Sequence, residues 1–154
     1  MLQTTALYGP TLRLVPFNFA GRIIRFAIYW REYNLLVGIL LITLPEQNAV
    51  DGVVELLIAD PSRREYFGPE ALQIALQFAF SEQDLHRATV CVPEYDTITM
   101  KLVETAGFIF ETRRRQAIFM RGRFWDELQY GMLVSDWQAQ MSWIPEQSRI
   151  QNES

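Results

Sequence analysis

A chain of 154 residues, 49% hydrophobic and 21% charged, has the size and make-up of one folded domain and buries about two-thirds of the surface that its unfolded form exposes. Fourteen basic residues against eighteen acidic ones leave a net charge of −4, so the molecule as a whole repels polyanions and nucleic acid is not an expected partner. Cys91 is the single cysteine, one histidine and one cysteine make no zinc pattern, and the apolar run "YNLLVGILLITL" is too short and too polar to span a bilayer; no metal and no membrane are expected. The opening "MLQTTALYGPTLRLVPF" lacks the charged and apolar blocks of a signal peptide, which points to a cytoplasmic protein.

In chain order, "TLRLVP" alternates Leu12 and Leu14 with Thr11 and Arg13, the period of a half-buried strand. "RIIRFAIYW" and "LLVGILLITLP" are β-branched and aromatic runs joined by "REYN", a connection of hairpin length. "GVVELLIADP" is a further strand whose near-continuous apolar character predicts a central place with both faces covered. A helix is predicted from Pro69 to about Glu82, with Gly68 as its cap and Pro at the first helical position. Unpaired N–H groups and the positive end of that helix, beside Arg63 and Arg64, suit a bound phosphate; a capped helix after a charged turn explains the same residues without one.

"HRATVCVP" is the next strand, with Cys91 read as a small core residue and His86 at the corner before it as a structural hydrogen-bonding group. "DTITMKLVETAGF" is a second helix with Asp96 as cap and Gly107 at its end. "FIFETRRRQAIFM" and "DELQYGMLV" are strands joined through "RGRFW", and "SDWQAQ" is a short helical turn. Arg113, Arg114 and Arg115 alternate across their strand and should be solvated or paired, and Trp125 should pack the last hairpin. Four strands, a helix, a strand, a helix and two strands predict a layered α/β domain over residues 1–145, a right-handed parallel crossover over 53–92, and a polar tail at 146–154.

Several words in this order resemble the GNAT superfamily of acyl-CoA-dependent N-acetyltransferases, above all the branch of ribosomal-protein-alanine acetyltransferases. They are "IADP", "RREYFG" and "PEALQIALQFAF", then "LHR", "VETAGF" and "RGRFWDELQYGML", and the likeness covers about residues 11–137. The resemblance implies a mixed, mostly antiparallel central sheet flanked by helices. "FNFAG" is too short for the helix pair that usually follows the first strand, so that pair is expected to be missing.

The resemblance also implies acetyl-CoA as co-substrate and a primary amine of a small molecule or peptide as acceptor. The pyrophosphate would lie on a degenerate phosphate loop formed by Arg64, Glu65, Tyr66, Phe67, Gly68, Pro69 and Glu70, with Arg63 beside it. The pantetheine arm would pair with backbone at Leu57, Ile58 and Ala59, and Asp96 would lie near the cofactor, although capping alone also explains Asp96. Glu55 is the one carboxylate inside an apolar strand and a candidate base, with an ion pair or plain exposure as the alternative; Tyr130 is a candidate acid. A homodimer is expected. The competing reading is a catalytically inactive GNAT-like binding or dimerisation module, favoured by Tyr66 in the loop, Val103 on the second helix and the missing helix pair.

Overall fold

The computed structural model describes residues 5–47 and 50–142, and the predicted tail at 146–154 lies outside them. Eight strands form one sheet: β1 (Leu7–Tyr8), β2 (Leu12–Ala20), β3 (Ile23–Trp30), β4 (Leu35–Thr43), β5 (Asp51–Leu57), β6 (Arg87–Pro93), β7 (Ile109–Met120) and β8 (Arg123–Leu133). Their spatial order is β1-β2-β3-β4-β5-β6-β8-β7. Every neighbouring pair is antiparallel except β5 and β6, which the helical crossover makes parallel. The mixed, mostly antiparallel sheet predicted from the sequence is therefore present. The strand at Leu7–Tyr8 was not anticipated: two residues carry too little periodicity to be read.

The core lies between one face of this sheet and the helices. Along β3 the alternation places Ile24, Phe26 and Ile28 inside, and Leu12, Leu14, Leu40, Ile42, Val54, Val92 and Leu128 continue the same buried layer from other strands. Phe26 meets Phe78 edge to face at 5.3 Å between ring centroids, which locks the sheet to the end of the first helix. β2 turns into β3 through Gly21 and Arg22, so the helix pair absent from the sequence is absent here too. Among the described residues no helix is long and apolar enough to cross a membrane.

The first helix departs from the sequence reading. α1 runs Pro61–Gln77, eight residues earlier than expected, and a π-helical stretch, Phe78–Glu82, follows it. Asp60 caps it by accepting the Arg63 N–H, with Pro61 at the first position, so "DP" and not "GP" is the start signal. Pro69 sits inside the helix, and Gly68 is there for packing: an added Cβ would run into Leu102 Cδ1. α2 (Thr97–Ala106) matches its prediction, capped by Asp96 and ended by Gly107 at φ 103°, the left-handed conformation that favours glycine. α3 (Val134–Ser142) closes the described chain, its Trp137 ring lying 5.5 Å from Phe80.

Candidate active site

β5 and β6 pair only over Asp51–Val53 with Arg87–Thr89 and then diverge. Beyond Val53 the β6-facing backbone edge of β5 has no strand partner, and a groove of about 780 Å³ opens between the two strands and the first turns of α1 and α2. Its walls include Glu55, Leu57, Ile58 and Ala59 from β5 and the chain after it, Cys91 and Pro93 from β6, and Thr99, Leu102 and Val103 from α2. The divergence corrects one expectation. β5 is central, but Glu55 and Leu57 are exposed, because β6 has left their side of the sheet.

Arg64 and Asp96 stand together at the groove mouth. The Arg64 guanidinium donates to the Ile58 carbonyl (3.3 Å) and lies 3.6 Å from Asp96 Oδ1, while its buried Nε makes no hydrogen bond among the described residues. Asp96 also accepts the Thr99 N–H (3.1 Å) and the Thr99 hydroxyl (2.6 Å). One carboxylate thus caps α2, as expected, and ties it to α1.

The phosphate loop does not exist as a loop. The Arg64 N–H bonds the Asp60 carbonyl at 2.9 Å as the first turn of a helix, and residues 65–70 continue that helix, where N–H groups serve i−4 carbonyls and do not converge on a ligand. Of the seven residues assigned to it, only Arg64 lines the groove. Tyr66 is 70% exposed, Phe67 is buried 5.2 Å from the Trp30 ring, and Gly68 packs on Leu102. Glu65 and Pro69 border a separate hollow of about 410 Å³ between α1 and α2, and the Glu70 carboxylate accepts the Thr11 N–H at 3.0 Å. Arg63 is exposed in the first turn of α1.

Glu55 is on the groove wall, opposite Leu41 of β4, and forms no salt bridge among the described residues. Of its two alternatives, exposure is what is found. Tyr130 is not on the groove wall. It is buried, its hydroxyl donates to Glu104 Oε1 on α2 at 2.8 Å, and burial together with that carboxylate pushes its pKa up to about 12. A phenol held in this way joins β8 to α2.

Three groove residues were missed. Cys91 is exposed, not a core residue, because β6 points its odd-numbered side chains away from the helices. Partial desolvation, with Glu127 next in effect, raises its thiol pKa, which keeps it neutral. Glu127 and Arg114 face each other across the β7–β8 ladder and are bonded at 2.7 Å. A period-2 count along β6 and β8 carries the signal for Cys91 and Glu127, and Arg114 on β7 comes with its place opposite Glu127, but only the divergence of β5 gives that face a groove. Arg113 is paired as expected, with Asp126 (2.9 Å) and Glu94 (3.4 Å), and Trp125 packs the hairpin by donating to the Met120 carbonyl at 3.0 Å. His86 is exposed, and its N–H bonds the Val50 carbonyl.

No family model matches the chain. It is 29% identical over 77 residues, half of its length, to an uncharacterized N-acetyltransferase, YokL, of the SPbeta prophage in Bacillus subtilis (strain 168), and the match spans 44% of that relative. Mutant forms of the spermidine/spermine N-acetyltransferase SpeG from Vibrio cholerae superpose with a TM-score of 0.71 at 20% identity, covering 79% of this chain and 70% of theirs. A dodecameric structure of spermidine N-acetyltransferase from the same organism gives 0.69 at 20% identity, over 76% of this chain and 68% of that one. The chain therefore has the mixed α/β fold of the GNAT N-acetyltransferases, opened at the seam between β5 and β6.

Proposed function

We propose that the chain is an N-acetyltransferase that moves an acetyl group from acetyl-CoA to a primary amine of a small molecule or peptide. The observation that carries this reading is the groove at the β5–β6 seam, with a free strand edge for an extended donor and an exposed carboxylate, Glu55, on its wall. The thioester half of such a donor fits there: its pantetheine arm pairs with the edge at Leu57, Ile58 and Ala59, and Arg64 and Asp96 border its entrance. Acetyl-CoA supplies an activated acyl carbon. Glu55 takes one proton from the incoming ammonium, directly or through one water, and the free amine then attacks the acyl carbon; as the N–C bond forms and the C–S bond breaks, the nitrogen gives its second proton to solvent and the leaving thiolate is protonated from solvent. Backbone N–H groups on the open edge of β5 are the donors available to the developing oxyanion.

The acceptor class stays broad. The words shared with the ribosomal-protein-alanine branch favour a peptide amine, and the fold of SpeG favours a polyamine. With no helix pair after β2, a second copy of the chain supplies the missing wall in a homodimer, in a cytoplasmic setting. One observation favours the inactive module instead: Tyr130 is held away from the groove by Glu104, and Val103 at the groove has no acidic proton. An amine panel containing spermidine, lysine and an alanine-started peptide, assayed with acetyl-CoA for thiol release and acetylated product, separates the two. Acetylation of any one of them supports the transferase, and thiol release no faster than in an amine-free control for all of them leaves the module.

A further inference from the structure

Side chains of β5 alternate between the two faces of the sheet: Val54 is buried in the core, while Glu55 and Leu57 are exposed on the opposite face. All three helices add side chains to the core, so they lie on the Val54 side and leave the Glu55 side open. Strand register gives that open face its chemistry. Leu41 of β4 stands opposite Glu55, and Ile39 opposite Leu57; from Ile39 the same row continues through Ala27 of β3 to Val15 of β2. An amine that gives its proton to Glu55 therefore has an apolar surface beside it, roughly 14 Å wide at the usual spacing of strands.

Charge on the groove wall is almost fully committed. Arg64 lies 3.6 Å from Asp96, and Arg114 lies 2.7 Å from Glu127. Glu55 is the one carboxylate of the wall without an ion pair among the described residues. Beyond Leu41 the next side chain in the Glu55 row is Arg25, which is positive. One open carboxylate receives one ammonium. A second ammonium on the same acceptor would have to leave water for the apolar row, or take Asp96 or Glu127 from its arginine, and both are unfavourable. An alkyl or aryl body has no such cost and gains by leaving water.

We infer that the acceptor is a primary amine with a single positive charge on an apolar body, and not a polyamine. An alkyl or aryl amine has this chemistry, and so has the amino terminus of a peptide with an apolar first residue. The inference rests on the acetyltransferase reading above and deepens it by naming the acceptor class.

The test is steady-state acetylation by the full chain with acetyl-CoA as donor. Hexylamine is compared with cadaverine, which has nearly the same length but carries an ammonium where hexylamine ends in a methyl group. An amidated peptide starting with leucine and spermidine are run beside them. The expected kcat/KM for hexylamine exceeds that for cadaverine by about tenfold or more. Whichever of hexylamine and the peptide has the higher kcat/KM identifies the source as a free amine or a peptide terminus. Leu41→Gln makes the surface beside Glu55 polar and should lower the ratio of hexylamine to cadaverine at least about threefold. Equal values for those two amines, or a preference for cadaverine or spermidine, overturn the inference and leave the acetyltransferase reading standing. Acetylation of none of the amines overturns both. An unchanged ratio in Leu41→Gln also overturns the inference, and a change of mass in solution alongside it marks the row as the seat of a second copy. The comparison in the unaltered protein decides the matter even if the variant does not fold.

Discussion

β6 has two seams, and they behave oppositely. Towards β8 it is paired over its whole length, from Arg87 opposite Leu133 to Pro93 opposite Glu127; towards β5 it is paired over three residues and then parts. Side-chain chemistry follows the difference. The closed seam is crossed by charge pairs: Arg87 reaches over Gly131 to Glu111 on β7, and Arg113 holds Asp126 and Glu94. The open seam has Leu57, Ile58, Leu102 and Val103 on its walls, the pairs Arg64–Asp96 and Arg114–Glu127 beside them, and one carboxylate, Glu55, without an ion pair among the described residues. The antiparallel pairing with β8 runs along all of β6, whereas the parallel pairing with β5 stops after Val53, and the unpaired remainder of β5 makes room for a ligand.

This contrast can be broken at either seam. The largest effect is expected at the open one. Glu55→Gln should lower kcat about a hundredfold with little change in donor affinity, measured by steady-state acetylation; an unchanged kcat removes Glu55 from the mechanism. Leu57→Trp places a large side chain where Leu57 is 54% exposed on the groove wall. Donor affinity should fall at least about tenfold while Tm holds, because no core packing is lost. A lower Tm with intact affinity would mean that this side of β5 is a packing surface and not a binding one.

At the closed seam the effects should be on stability. Tyr130→Phe removes the hydrogen bond to Glu104, should cost about 1 kcal/mol in denaturant unfolding, and should leave acetylation unchanged. The tyrosine titrating near pH 12 should also vanish from an alkaline absorbance titration, and a large drop in kcat instead would return Tyr130 to the chemistry. The smallest effect is that of acid. Arg87 beside Glu111 lowers the pKa of that carboxyl, and the Gln116 N–H, then Arg113, lowers that of Asp126. Depressed carboxyl pKa values contribute stability that is full above the unfolded values, about 4, and is lost as pH falls through the lower folded ones. The β7–β8 hairpin should therefore loosen below about pH 4, seen as the Trp125 part of the fluorescence, with Trp125→Phe as baseline.

Much of the fold was legible because its signals are local. The β3–β4 hairpin, the parallel strand pair, α2 with its Asp96 cap and Gly107 stop, and the missing helix pair can each be read from a few adjacent residues. The start of α1 was misread because "DP" and "GP" lie eight residues apart and both are valid starts. The choice of Asp60 was made by the burial of Phe67 against Trp30 and of Gly68 against Leu102, contacts between segments distant in sequence. That choice moved residues 64–68 from the expected loop into a helix.

The sequence by itself determined the order and type of the longer elements, the β3–β4 hairpin and the parallel crossover, and it placed Glu55 in a strand and Asp96 at a helix start. Periodicity, caps and turns depend on neighbours within a few positions, and those neighbours are written in the chain. Only the tertiary structure decided that β6 parts from β5 after Val53, that Cys91 and Glu127 face the resulting groove, and that the Tyr130 hydroxyl turns to Glu104. Each of these is a relation between surfaces, set by which side chains pack across the sheet.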